Sequence, residues 1–232
     1  MKKINNKSLI FVGDIHGDFN FLHEACSNIE NALIIQVGDC GLGFHLFERE
    51  KQNLNFINET CVKNNNTLAL LFGNHDSKKR FSEFRQLTNE FKNIIFLDDY
   101  EIIDWNNKLI QFVGGAISID RTQRREGISY WSDEGVVFNK DKCKKVDILV
   151  THTAPSFCFP QKFNELVYGW AREDAYLIED LNDERYIMNE IFKLCQPSFH
   201  IYGHFHSSWV EEINGCKHRL LDINEILEYY EN

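Results

Sequence analysis

The chain has 232 residues, a formal net charge of −10, and 43% hydrophobic and 13% aromatic residues. A chain of this length and apolar content can bury one large core, so we predict a single domain over residues 1–232. The acidic charge excludes a long binding track along duplex nucleic acid, because such a track needs many phosphates neutralised by Lys and Arg.

The apolar runs and the cysteines limit the cellular setting. Every apolar run is shorter than the roughly 18 to 20 residues that a membrane helix needs, and the run after Met1 is too short for a signal peptide. Seven cysteines are scattered singly, without a C-x-x-C pair, which argues against a zinc knuckle and a disulfide framework. We therefore expect a soluble cytoplasmic protein with reduced thiols and no membrane partner.

Short apolar runs alternate with amphipathic stretches along the first part of the chain. This pattern is typical of a sheet interleaved with helices. The runs SLIFV, ALIIQV and TLALLF predict buried strands, and helices are predicted over 18–29, 46–64 and 77–90. The runs NIIFL, EIIDW and KLIQFVGG then follow closely, with turn residues between them, and predict antiparallel strands.

The second part of the chain continues the same alternation. The run VDILVTH predicts another buried strand, and apolar residues at helical spacing predict a helix over 177–195. The runs SFHIYGH, SWVEEI and CKHRLLDI predict the last strands. Together the elements indicate an α/β protein with either one mixed sheet or a pair of stacked sheets.

Polar loops follow five of the predicted strands, with the sequences GDIHG, VGDCG, FGNHD, VTHTAP and YGHFH. In α/β sheets, sites form beyond the carboxyl ends of strands, so these loops can converge. Eight carboxylate, amide and imidazole side chains in these loops form a donor set without a thiolate, which suits Mn²⁺, Fe or Zn²⁺. The donors exceed what one catalytic metal can use and favour two metals that share a carboxylate. The candidates are Asp14, His16, Asp39, Asn74, His75, His152, His204 and His206.

These five blocks, in this order, resemble the calcineurin-like metallophosphoesterases. The family's motifs are D-x-H, G-D, G-N-H-[DE], a strand-end H and G-H-x-H, and the matching blocks here run from Gly13 to His206. The resemblance implies two stacked mixed β-sheets flanked by helices. It also implies a dinuclear-metal phosphoesterase in which a hydroxide between the metals attacks phosphorus in line. Mn²⁺ is the expected metal, with Fe, Zn²⁺, Ni²⁺ and Mg²⁺ as alternatives.

The resemblance also implies a role for each matched residue. His75 corresponds to the family's catalytic histidine, which stabilises charge on the phosphoryl group or protonates the leaving oxygen. Asp39 would bridge the two metals and so take part in catalysis. The other implied ligands are Asp14, His16 and His206 for the first metal, and Asn74, His152 and His204 for the second. The histidines outside the blocks, expected to be structural or exposed, are His23, His45, His200 and His218.

The second block departs from one branch of the family. Phosphatases of the protein-phosphatase type carry G-D-x-x-D-R, whereas Leu42 stands here at the later Asp position and no Arg follows. The group that orients His75 is then His45 or Asp76, or the leaving group needs little protonation. The departure favours a phosphodiesterase or nucleotide phosphatase over a phosphoprotein phosphatase. A catalytically inert scaffold of the same fold is a further alternative, which the complete ligand set disfavours.

The segment GGAISIDRTQRREGISYWSDE places three arginines and two aromatic rings after a predicted strand. Guanidinium groups bind phosphate oxygens and aromatic rings stack on bases. The segment therefore predicts contact with a phosphate-ester substrate such as a nucleotide or an RNA end. The alternative is a solvated loop paired with its own carboxylates. The candidate substrate-binding residues are Arg121, Arg124 and Arg125.

Overall fold

The computed structural model describes residues 1–87 and 89–230, which form twelve strands and five helices. The strands are β1 (Lys2–Ile4), β2 (Ser8–Val12), β3 (Ala32–Gln36), β4 (Thr67–Leu70), β5 (Ile94–Phe96), β6 (Ile102–Trp105), β7 (Lys108–Val113), β8 (Ile148–Thr151), β9 (Phe199–Tyr202), β10 (Trp209–Ile213), β11 (Cys216–Leu220) and β12 (Ile226–Glu228). The helices are α1 (Phe19–Asn28), α2 (Phe47–Lys63), α3 (Lys78–Arg85), α4 (Glu165–Trp170) and α5 (Leu177–Cys195).

The strands in the described part of the chain form two mixed sheets. The larger sheet has the order β1-β6-β7-β8-β9-β11-β10, and the smaller sheet has the order β12-β2-β3-β4-β5. Strands β2 to β5 run parallel in the smaller sheet, as do β7, β8, β9 and β11 in the larger one. The predicted α/β architecture of two stacked mixed sheets flanked by helices is confirmed.

The main core lies between the two sheets. Phe11 and Ile35 of the smaller sheet and Phe112 and Ile201 of the larger sheet are fully buried in it. The next residues along the smaller sheet, such as Ile34, face α1, α2 and α3 in a second core. Since each parallel strand is covered on both faces, it reads in the sequence as a continuous apolar run.

The prediction that NIIFL forms an antiparallel strand is wrong. This run contains β5, which pairs in parallel with β4 at the edge of the smaller sheet. Helix α3 connects the two strands, and such a crossover returns the chain in its original direction. The EIIDW and KLIQFVGG runs do form an antiparallel pair, β6 with β7.

Helix α3 ends at Arg85, although the sequence pattern predicts a helix over 77–90. After Arg85 the chain turns, and the ring of Phe91 packs on that of Phe84, with ring centroids 5.8 Å apart. The turn therefore buries an aromatic ring that a continued helix would carry away from the core. Thr88, within the predicted helix, lies outside the described residues.

Two further observations concern membrane-spanning helices and the cysteine thiols. Within residues 1–87 and 89–230, no helix combines the length and the apolarity needed to cross a lipid bilayer. All seven cysteines carry free thiols.

The core between the sheets can be tested with Phe112→Ala, because Phe112 is fully buried there. We expect the free energy of unfolding to fall by about 3 to 5 kcal/mol, from lost burial and an unfilled cavity. Urea-induced unfolding measures this change in the free energy of unfolding. The matched control is Phe56→Ala on α2, whose side chain is 66% exposed, and a change below about 0.5 kcal/mol is expected there. Equal losses in both variants would contradict this placement of the core.

Candidate metal centre

The polar loops meet at one edge of the sandwich, where the carboxyl ends of parallel strands from both sheets lie. The loops after β2, β3 and β4 belong to the smaller sheet, and those after β8 and β9 belong to the larger sheet. This is the arrangement in which α/β sheets form their sites. The side chains brought together there are Asp14, His16, Asp39, Asn74, His75, His152, His204 and His206.

One half of the centre contains Asp14, His16 and His206. The Nε2 atoms of His16 and His206 face each other at 3.0 Å, and His206 Nε2 lies 3.4 Å from Asp14 Oδ2. Asp39 joins this group, because one donor atom from each of the four residues lies within 4.8 Å of the others. Two carboxylates and two imidazole nitrogens at this spacing could hold a divalent cation.

The other half contains Asn74, His152 and His204. Asn74 Oδ1 lies 3.1 Å from His152 Nε2 and 3.0 Å from His204 Nδ1. Asp39 Oδ1 lies 3.1 Å from His152 Nε2, so Asp39 contacts both halves. His152 Nδ1 donates to the Val37 carbonyl at 3.0 Å, which leaves Nε2 as the nitrogen that could bind a cation.

Asp14 and Asp39 are buried, and each has one oxygen without a hydrogen-bond partner in the described residues, Oδ1 and Oδ2 respectively. Burial favours the neutral form of Asp39, but His152, His75 and His16 together outweigh burial, and the pKa of Asp39 is lowered. Burial disfavours the charged form of His152, yet Asp39 and Asp14 raise its pKa to about 10. The buried carboxylates of Asp14 and Asp39 are therefore stable only with positive charge nearby. The carboxylate, amide and imidazole donors around them are suitable ligands for divalent metal ions.

The backbone around the centre is strained in a way that aims the side chains inward. Gly73 is tightly packed, since a Cβ there would lie 2.2 Å from Asp39 Oδ1. Positive φ is uncommon for residues other than glycine and clusters at functional sites. It occurs at His16 (44°), Asp39 (58°), His204 (70°) and His206 (45°).

Asp76 holds the loop that carries Asp39. Its carboxylate accepts four backbone N–H groups, at 2.7 to 3.0 Å, and burial, with Asp39 nearby, raises its pKa to about 7. The sequence left Asp76 as a candidate to orient His75, whereas its contacts fix the neighbouring loop. The N–H donors belong to Cys40, Gly41, Leu42 and Gly73.

Ser118 and Glu134 orient Asn74, a role that the sequence pattern did not indicate. Asn74 Nδ2 donates to Ser118 Oγ at 2.9 Å, so the amide oxygen faces His152 and His204. Ser118 Oγ in turn donates to Glu134 at 2.8 Å, and burial raises the pKa of Glu134 to about 8. Both residues lie in the arginine-rich segment, where no local sequence pattern marks them as partners of Asn74.

His75 lies beside the centre and contacts Arg124. Its Nε2 is 3.9 Å from Asp39 Oδ2, and the Arg124 guanidinium lies 2.9 and 3.1 Å from the two ring nitrogens. Burial lowers the pKa of His75 to about 4, and Arg124 contributes to that shift. The ring also packs against Phe44. His45, the other candidate to orient His75, instead accepts a hydrogen bond from Arg80 through its carbonyl.

The three arginines of the segment have different surroundings. Arg124 reaches the centre and is held by Asp120, 2.6 Å from its Nε. Arg121 forms ion pairs with Asp174 and Asp180. Arg125 is exposed. Of the predicted substrate-binding arginines, the structure brings Arg124 to the centre, while the side chain of Arg121 joins the segment to the start of α5.

A cavity of about 530 Å³ opens between the centre and α4. One side is polar and includes His75, Arg124 and His204. The segment around α4 supplies further apolar side chains to the lining, which we call the apolar wall. Its residues are Phe163, Leu166, Val167 and Trp170.

Comparisons with known proteins agree with this geometry. A family model described as calcineurin-like phosphoesterase matches residues 7–208, whereas no curated protein matches the chain. The fold is similar to TT1561 of Thermus thermophilus, with 10% identity, a TM-score of 0.54, and coverage of 97% of this chain and 99% of that one. It is also similar to the phosphopantetheinyl hydrolase PptH of Mycobacterium tuberculosis, with 10% identity, a TM-score of 0.54, and coverage of 94% and 90%. With most of its length matched by the family model, the chain belongs to the calcineurin-like phosphoesterase family.

Proposed function

We propose that this protein is a metal-dependent phosphodiesterase or nucleotide phosphatase. Membership of a phosphoesterase family supports hydrolysis of phosphoesters. The observation that carries the metal dependence is the pair of buried carboxylate oxygens, Asp14 Oδ1 and Asp39 Oδ2, which find no partner in the described residues. Asp39 Oδ2 lies 3.8 Å from His16 Nδ1, and Asp14 Oδ1 lies 4.0 Å from His152 Nδ1. Buried carboxylate oxygens in these surroundings favour a bound cation.

The contacts support two metal positions. Asp39 lies between them, with Oδ1 near His152 and Oδ2 near His16. Two divalent ions bound there would lower the pKa of water toward neutrality and polarise phosphoryl oxygens. Oxygen and nitrogen donors without thiolate suit Mn²⁺. The proposed ligands are Asp14, His16 and His206 for one ion, Asn74, His152 and His204 for the other, and Asp39 for both.

His75 and Arg124 are proposed to bind the reacting phosphoryl group. With a pKa lowered to about 4, the His75 ring is uncharged at neutral pH. Divalent cations bound at the proposed centre would lower that pKa further. A neutral imidazole can donate a hydrogen bond to a phosphoryl oxygen but is a poor proton donor. The guanidinium of Arg124 then supplies permanent positive charge beside the same ring.

The cavity supports a substrate with an organic group attached to the phosphate. Its polar side faces the centre, and its apolar wall, which includes Trp170, suits a base or another flat group. Leu42, at the position of the second Asp of the protein-phosphatase type, is fully buried in the core of the smaller sheet. Both observations favour a nucleotide or a phosphodiester over a phosphoprotein.

The function is tested by loading the protein with Mn²⁺ and comparing bis-para-nitrophenyl phosphate, para-nitrophenyl phosphate and nucleotides as substrates. We expect metal-dependent turnover, with about two Mn²⁺ ions per chain by elemental analysis. Asp39→Asn is the matched variant, because it keeps the shape but removes the charge next to both positions. Its turnover should fall by far more than tenfold. Wild-type activity that survives exhaustive chelation would contradict the proposal.

The role of His75 is tested with His75→Asn on two diesters, one with a nitrophenolate and one with an alkoxide leaving group. A hydrogen bond to the phosphoryl group predicts that kcat falls by about 10²-fold for both substrates, with the metal content unchanged. Nitrophenolate departs without protonation, so a loss confined to the alkyl ester would identify His75 as a proton donor. Loss of metal would show that His75 is a ligand.

The role of Arg124 is tested by Arg124→Gln, with Arg125→Gln as the exposed neighbouring control. We expect kcat/KM to fall at least about tenfold for Arg124→Gln, which corresponds to about 1.4 kcal/mol of lost transition-state stabilisation. The control should stay within about twofold of wild type, since surface changes have small effects. If both variants behave alike, Arg124 has no special part in binding the phosphoryl group.

A further inference from the structure

A second group of metal-binding side chains lies outside the centre described above. Cys158, His200 and His218 are 0%, 0% and 1% exposed. His218 Nδ1 lies 3.1 Å from His200 Nδ1 and 3.2 Å from Cys158 Sγ, and one donor atom of each residue lies within 4.8 Å of the others. The three residues come from the loop after β8, from β9 and from β11. We call them the Cys–His–His cluster.

The spacing of the cluster is close to that of ligands around one zinc ion. Zinc binds imidazole nitrogen at about 2.0 to 2.1 Å and thiolate sulfur at about 2.3 Å in tetrahedral geometry. Tetrahedral angles then put two nitrogens about 3.3 Å apart, and a nitrogen and a sulfur about 3.6 Å apart. The observed 3.1 and 3.2 Å are slightly shorter, so a small outward movement would seat the ion.

Hydrogen bonds fix the tautomer of His200 in the form that a metal needs. The Thr151 hydroxyl donates its hydrogen to the Thr153 carbonyl, so its oxygen must accept the bond from His200 Nε2 at 2.9 Å. The proton of a neutral His200 is therefore on Nε2, and its Nδ1 presents a lone pair to the cluster.

Without a metal, the cluster is poorly satisfied. His218 Nδ1 can either donate to His200 Nδ1 at 3.1 Å or accept from the Cys158 thiol at 3.2 Å, and a single nitrogen cannot do both. The rings of Phe157 and Phe192 pack against His218 and shield the cluster from bulk solvent. A thiolate and two neutral imidazoles around Zn²⁺ leave one positive charge. The Glu211 carboxylate, which acts electrostatically on both Cys158 and His218, can balance it.

We propose that Cys158, His200 and His218 bind a zinc ion that is separate from the dinuclear centre, with a water molecule completing its coordination. The ion would tie the loop after β8 to β9 and β11. That loop follows His152 and leads to the apolar wall of the cavity, so the zinc would stabilise the surroundings of the catalytic site without touching substrate. Binding releases the Cys158 proton, as thiolate coordination requires.

Cobalt substitution separates this site from the dinuclear centre. Cobalt bound to a thiolate has an intense charge-transfer band in the near ultraviolet, and the proposed dinuclear ligands include no cysteine. We expect the cobalt-loaded wild-type protein to show this band and Cys158→Ser to lose it. The control is Cys195→Ser on α5, another fully buried thiol, which should keep the band.

Zinc content gives an independent measurement. The protein purified from zinc-supplemented medium should hold about one zinc per chain more than Cys158→Ser, whereas Cys195→Ser should match the wild type. If His218→Gln folds, its zinc content should match that of Cys158→Ser. If it does not fold, the cobalt spectrum of the wild-type protein decides the question. A cobalt-loaded wild type without the band, or equal zinc in both serine variants, would overturn the proposal. Neither measurement depends on phosphoesterase activity.

Discussion

Asp14 and Asp39 place two carboxylates side by side in the interior, and the loops around them are built to compensate that charge. Each carboxylate accepts one backbone N–H, from His204 and His75 respectively. One oxygen of each is left without a partner in residues 1–87 and 89–230. Because like charges repel strongly in a medium of low dielectric, the pair is stable only with positive charge nearby. The surrounding imidazoles and the left-handed backbone that aims them follow from this requirement.

The compensating groups come from both sheets. Asp14 and Asp39 follow strands of the smaller sheet, whereas His152 and His204 follow strands of the larger one. Packing of the two sheets on their common core therefore places the two strand edges, and the side chains that follow them, next to each other. The stability of the sandwich and the geometry of the site are coupled, and a cation shared by both sheets would bind the folded state alone and stabilise it.

The sequence predicted what depends on local pattern. Buried parallel strands appear as apolar runs, and the ligand loops appear as polar blocks after them. Contacts between residues far apart in the chain have no such local pattern in the sequence, so they could not be predicted from it. Arg121 and Arg124 look equivalent in sequence, yet Arg121 pairs with carboxylates 53 and 59 residues away. The edge strands β1 and β12 and the six-residue α4 are too short to give a periodic signal.

The segment around α4 supplies the apolar wall of the cavity, whereas the proposed metal ligands are spread over five loops from two sheets. The proposed ligands and this part of the lining therefore lie in separate parts of the chain. On the proposed function, a change within residues 161–171 would alter the surface that meets the organic group of the substrate and would leave every proposed ligand in place. Exchange of that one contiguous segment would then be a direct route to a different specificity.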